Sequence, residues 1–189
     1  MSLLDPALAS RAIERAVRRG GDLAEVYAEE RHGFGLSLDD GRVERPQSGS
    51  ERGASIRVVS GESSYFGHVD GLAEDDLLRV ADSVAQAAAG GDARPAPLGH
   101  ALSRGPQHPV ATPPGDVDAA RKADLLRLCD DVARGAGAEI AQVSAGYAET
   151  RQLVEVFNSD GVAAADDRTR VRLAVQVVAR RDSVVETGS

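Results

Sequence analysis

Several absences bound what this chain can be. It has one cysteine, Cys129, which excludes an internal disulfide framework and any multi-cysteine zinc or iron–sulfur site. No apolar run approaches the roughly 20 residues that cross a bilayer, so no membrane segment is expected. The opening stretch "MSLLDPALASRAIERAVRRGG" lacks the continuous apolar centre and small-residue cleavage site of a secretory leader, and a cytoplasmic location is the resulting expectation. A net charge of −8 leaves no broad basic surface for phosphate backbones, so nucleic acid is not expected as a partner. Neither a G-x-x-x-x-G-K-[ST] nor a G-x-S-x-G frame occurs. Lysine is almost missing too: Lys122 stands alone among 22 basic side chains, which reads as genomic base composition.

What is present is an alternation of helical and strand periods. Asp5-Pro6 opens a helix whose stripe is Ala9, Ala12, Ile13, Ala16 and Val17, closed by Gly20-Gly21. From Leu23 the period falls to two, first around Val26 and Ala28 and then at Phe34, Leu36 and Leu38. Asp40-Gly41 supplies a tight hairpin turn, with a return strand from Val43 that Pro46 and "QSGSERG" should interrupt. A second hairpin is expected to turn at Ser60 to Glu62. A helix then carries Leu77, Val80, Ala81, Val84 and Ala88, with Glu74, Asp75 and Asp76 in its first turn and Gly90-Gly91 at its end.

Residues 90–115 hold six of the eight prolines (Pro95, Pro97, Pro106, Pro109, Pro113 and Pro114) and read as a connector without periodicity. Helical spacing resumes with Leu125, Leu126, Cys129, Val132 and Ala133. "EIAQVSAGYAETRQLVEVFNSDG" follows as strand, turn and strand, and "RTRVRLAVQVVAR" aligns Val171, Leu173, Val175 and Val177 on one face. The order of elements therefore repeats, down to a second Asp-Gly pair at Asp160-Gly161. The expected fold class is α+β: a tandem repeat of helix plus antiparallel β-hairpin units, with the second copy truncated. Residues 1–90 form the first repeat, 91–115 the proline-rich connector and 116–189 the second, incomplete repeat. The second copy stops before its closing helix, so its strands should be half-covered, and the chain is expected to be a piece of a longer polypeptide. An exposed edge around Val171 to Ala179 could then accept an extended peptide by strand addition.

Candidate chemical groups mostly have ordinary readings. His32, His68, His100 and His108 stand in no metal-binding frame; His68 and Asp70 share a strand face, but a metal site needs three or four convergent ligands. Cys129 belongs to an apolar stripe beside Asp130 and Asp131, which work against a thiolate, so core packing is expected. The pairs Asp39-Asp40, Asp75-Asp76, Asp130-Asp131 and Asp166-Asp167 fall in turns or helix ends, where carboxylates cap or stay solvated. Gly33 and Gly35 suggest a bulge rather than a phosphate cradle. No catalytic, cofactor-binding or metal residue is assigned.

Taken together, "GDLAEVYAEERHGFGLSLDDGRVERPQSGSERGASIRVVSGESSYFGHVDGL", "KADLLRLCDDVARGAGAEIAQVSAGYAETRQLVEVFNSDG" and "DDRTRVRLAVQVVAR" resemble the N-terminal region of the TldD/PmbA family, also called modulator of DNA gyrase. The TldD branch fits better than the PmbA (TldE) branch. The resemblance implies a cytoplasmic zinc metallopeptidase system that pairs with a TldE/PmbA-like subunit and acts on peptides. The family's His-Glu-x-x-x-His motif and further cysteine ligand have no counterpart here, so zinc is implied for the full-length family protein and no ligand is carried over. The alternative reading is a free-standing, non-enzymatic interaction module of the same fold. A third, a small enzyme built on His68 and the acidic residues, is disfavoured.

Overall fold

A computed structural model describes residues 2–88, 95–97, 103–104 and 110–189. Helices are α1 (Pro6–Ala16), α2 (Glu74–Ala87) and α3 (Ala119–Arg134). Strands are β1 (Leu23–Asp39), β2 (Arg42–Val43), β3 (Gln47–Ser60), β4 (Ser63–Asp70), β5 (Ser103–Arg104), β6 (Ile140–Asn158), β7 (Ala163–Arg181) and β8 (Val184–Gly188). Strand hydrogen bonding follows the order β4-β3-β1-β6-β7-β5, with β2 paired to β1 and β8 to β7. The fold class is α+β. Ser159 N–H donates to Ala24 O and Asp40 N–H to Val143 O, so β6 runs antiparallel to β1. The residues divide into two compact units, each assembled from several chain segments.

The first unit draws on Met1–Arg31, Ser50–His108 and Gln152–Arg168. Its core follows from strand alternation: Ala24, Val26 and Ala28 of β1 and Ala54, Ile56 and Val58 of β3 point the same way and are buried under α1 and α2. α1 starts where Asp5 accepts from the Ala7 N–H at 2.9 Å with Pro6 in the first turn, and all five stripe residues are buried. Gly67 sets how closely α2 approaches β4. A Cβ there would stand 2.8 Å from Val80 Cγ1 and 3.0 Å from Val84 Cγ2.

The second unit draws on His32–Gly49, Pro109–Arg151 and Thr169–Ser189. α3 covers Leu36 and Leu38 of β1, Ala145 and Tyr147 of β6 and the partly buried Phe34, Val43 and Val175. At the β1–β2 turn both central residues have positive φ, 44° at Asp40 and 77° at Gly41, which matches the right-handed twist of a two-residue hairpin.

Some expectations change. Residues 140–158 form one 19-residue strand where strand, turn and strand were expected, and residues 23–39 form one strand as well. "AETRQL" contains no glycine or proline to stop it, and cross-strand pairing carries its polar residues through. Gly33 and Gly35 lie inside that continuous β1, neither with a positive φ. "QSGSERG" opens β3 instead of interrupting the sheet; the break is confined to Glu44–Pro46. The two Asp-Gly pairs build different turns. At the second only Gly161 has a positive φ, and the Asn158 side chain accepts from the Asp160 and Val162 N–H groups. The connector contributes β5, parallel to β7, and a 3₁₀ turn at Pro114–Asp116; Gly90-Gly91 lies outside the described residues.

The expected stripe of α3 is also rotated. Leu126 is fully buried and Cys129 partly, but Leu125 is 37% and Val132 67% exposed. Lys122, Ala123 and Asp130 take the inner face with Leu126. Partners for both charges explain the rotation, as the geometry below shows.

Candidate functional site

In the second unit Lys122 is 4% exposed, and its ammonium donates to Glu149 Oε1 at 2.9 Å and lies 2.8 Å from Oε2. The same nitrogen stands 4.5 Å from the centroid of Phe34 and 5.6 Å from that of Tyr147, within reach of both ring faces. Tyr147 O–H donates to Glu149 Oε2 at 2.5 Å. Burial, that hydrogen bond and the adjacent carboxylate charge push the phenol up to about 12. Each polar atom of this cluster thereby has a partner. Its chemistry is that of a satisfied internal ion pair.

Beside it, Arg134 donates to Asp130 at 3.0 Å and to Asp40 at 2.5 Å, tying the end of α3 to the β1–β2 turn. The hydrogen bond it donates to Asp40 holds the guanidinium more firmly protonated than usual. Asp130 is therefore buried and paired, not a solvated helix-end carboxylate. Asp39 accepts from Ser144 and Gln142, which hold its carboxyl below the usual range.

In the first unit, an open groove of about 510 Å³ is lined by Tyr27, Glu29, Arg31, Ser55, His68 and Asp70, among others. Ser55 and His68 are cross-strand partners, and Asp70 stands two residues further along β4. These residue types could serve nucleophilic catalysis only if hydrogen bonds linked them, and none does. His68 instead stacks on Phe66, with centroids 6.2 Å apart. Tyr27 O–H donates to Glu29 at 2.5 Å, and Glu29 also pairs with Arg31 at 3.0 Å. Burial first, then Glu29, raises the Tyr27 phenol to about 12.

A second buried carboxylate holds the amino-terminal segment. Glu155 of β6, 2% exposed, accepts from Ser2 Oγ at 2.8 Å and from the Leu3 and Leu4 N–H groups at 3.0 Å each.

Among the described residues no three His, Cys, Asp or Glu side chains converge as metal ligands. His68 and Asp70 acquire no third partner among the described residues, and these residues do not fit a zinc site. His100 and His108 lie outside the described residues. Cys129 packs against the second core. Asp75 and Asp76 occupy the first turn of α2, and Asp166 pairs with Arg168. The sequence reading missed Glu149 and Glu155 and attributed Lys122 to base composition. The available signal was an isolated lysine in an arginine-rich chain, placed on the inner side of a helix.

Two family models match this chain in succession: PmbA/TldA metallopeptidase domain 1 over residues 24–88 and the PmbA/TldA metallopeptidase central domain over residues 112–189. The chain belongs to the PmbA/TldD family. A metalloprotease TldD homolog of Haemophilus influenzae is 28% identical over 174 residues, which cover 90% of this chain and 36% of that protein. The chain thus spans about a third of the length of this relative. Its fold is shared with three solved PmbA/TldD-type structures. A modulator of DNA gyrase from Bacteroides thetaiotaomicron superposes with a TM-score of 0.74 at 16% identity, covering 98% of this chain and 44% of that one. Another from Thermotoga maritima gives 0.68 at 14%, covering 88% and 38%, and TldE from Thermococcus kodakarensis gives 0.61 at 17%, covering 92% and 40%. Among the described residues no helix is long and apolar enough to cross a membrane.

Proposed function

We propose that this chain is the N-terminal, non-catalytic region of a TldD-like zinc metallopeptidase that processes peptides in the cytoplasm together with a TldE/PmbA-like partner. The observation that carries this reading is the ordered pair of family matches, first domain and then central domain, on a chain about a third as long as its TldD relative. In this reading the zinc ligands belong to a later part of the full-length protein, and these units help to enclose its cleft. Residues 1–90 and 116–189 are further proposed as two copies of one helix-plus-hairpin unit, joined by residues 91–115. Support comes from the strand order, in which β1, β3 and β4 lead outward on one side and β6, β7 and β8 on the other.

The test is zinc content and peptide hydrolysis measured side by side on the 189-residue chain and on a longer protein that includes a His-Glu-x-x-x-His segment. The expected outcome is one equivalent of zinc and cleavage only in the longer protein. Stoichiometric zinc with hydrolysis by the 189-residue chain alone would overturn the reading.

A further inference from the structure

We propose that the outer edge of β7 from Thr169 to Gln176 is a docking site for an extended acidic segment, taken up as an added strand. The inference stands on the geometry of the second unit and does not depend on the peptidase reading.

On one side β7 pairs with β6. On the other, β5 reaches only Ala164 and Ala165, and β8 covers Val177 to Arg181. The expected edge of Val171 to Ala179 is therefore shortened at its end by β8. Between these two strands, Thr169 to Gln176 has no strand partner among the described residues. Such an edge presents backbone N–H and C=O groups suited to β-addition.

The side chains of this interval decide which strand fits. Arg170 and Arg172 project from one face; both are exposed, and neither pairs with a carboxylate among the described residues. Val171 and Leu173 project from the other, 53% and 44% exposed, while Val175 packs on the second core. A strand laid alongside presents alternate residues to the two faces. Carboxylates at every second position would face the two guanidinium groups, and the intervening apolar residues would cover Val171 and Leu173. Opposite-charge and apolar cross-strand pairs are both favourable, and like charges placed opposite one another are destabilising.

A second copy of this chain fits less well. Antiparallel pairing of two copies centred on this interval would set Arg172 opposite Leu173 and Arg170 opposite Val175, which leaves both guanidinium groups without an acidic partner. The overall charge of −8 would repel an acidic partner from a distance, but at 0.1 M salt charges further apart than about 10 Å are largely screened. At contact distance the local pair of arginines governs the choice.

The experiment is amide hydrogen exchange on the whole 189-residue chain with a capped peptide, Thr-Glu-Val-Glu-Val-Glu-Thr, compared with its lysine-for-glutamate counterpart. The acidic peptide is expected to slow exchange across Thr169 to Gln176 and to bind at least tenfold more tightly than the basic one at about 0.1 M salt, where the net charge is screened. This ratio should shrink as salt is raised. The double variant Arg170→Glu with Arg172→Glu, changed only at exposed positions, should reverse the preference. Equal protection by both peptides, protection only elsewhere, or no protection by either would overturn the proposal. So would slow exchange of this interval in the chain alone that increases with chain concentration, because copies would then be pairing with each other.

Discussion

Removing the Lys122 ammonium while Glu149 stays in place would leave a carboxylate in a nearly dry setting with only a phenol to satisfy it. Breaking one side of such a pair typically costs about 3–5 kcal/mol, whereas replacing both partners with apolar groups of similar volume is often close to neutral. Lys122→Met should therefore be strongly destabilising, and Lys122→Met combined with Glu149→Leu much less so. Urea denaturation of the single and double variants measures the difference. Lys122→Arg should not rescue, since a planar fork cannot replace a compact ammonium between Phe34 and Tyr147. Glu155 presents a different case, in which the partners are a hydroxyl and two backbone N–H groups. Glu155→Ala leaves the Leu3 and Leu4 N–H groups without their acceptor and should cost about 2–4 kcal/mol by the same measurement.

The two bonded phenols set a pH limit. Both Tyr27 and Tyr147 are raised from 10 to about 12 in the folded chain. Their contribution to stability is fully present below pH 10, because folded and unfolded states are then equally protonated. Between about pH 10 and 12 the unfolded chain releases protons that the folded chain keeps, so stability should fall across this window. Tyrosinate absorbance during alkaline titration checks this. Tyr147→Phe should weaken the fall, and ionisation of Tyr147 at pH 10 in the folded chain would contradict the geometry.

At the scale of single elements, the glycine facing α2 is the sharpest test of packing. Gly67→Ala puts a methyl group against Val80 and Val84, and such overpacking costs about 1–3 kcal/mol unless the helix shifts. A lowered denaturation midpoint with an unchanged slope is the expected result. α1 and the Asp40-Gly41 hairpin were legible in the sequence because local chemistry decides them: a capping aspartate with proline behind it, and two residues that tolerate positive φ. β1 and β6 were less legible. Hydrophobic alternation lapses mid-strand in both, at "EERHGFG" and "AETRQL", and what sustains the extended backbone there is hydrogen bonding to a neighbour 100 or more residues away, which no local pattern records. α3 was misread for a related reason. Its apolar stripe is real, but the orientation of the helix follows charges that find partners on β6 and in its own last turn, so Leu128 and Val132 stay 57% and 67% exposed. Exchanging either for lysine should change stability by no more than about 0.5 kcal/mol.

For the whole molecule, the informative quantities are charge and family. A chain of net charge −8 with a pI near 5.0 should be least soluble around pH 5, where mutual repulsion vanishes and its exposed valines and leucines can meet. Turbidity measured from pH 4 to 8 tests this. Family membership was readable because the "DGRVE" turn and the "NSDG" turn occur in the right order. The internal pairs were not readable, since Lys122 and Glu149 lie 27 positions apart with nothing local to join them.

The burial of that lone lysine also has a practical corollary. Acylating reagents that label most proteins through side-chain amines will find the ε-nitrogen of this one shielded beneath α3. Uptake of such a label at position 122 would then act as a clock, counting the moments when the helix lifts away from the strands below it.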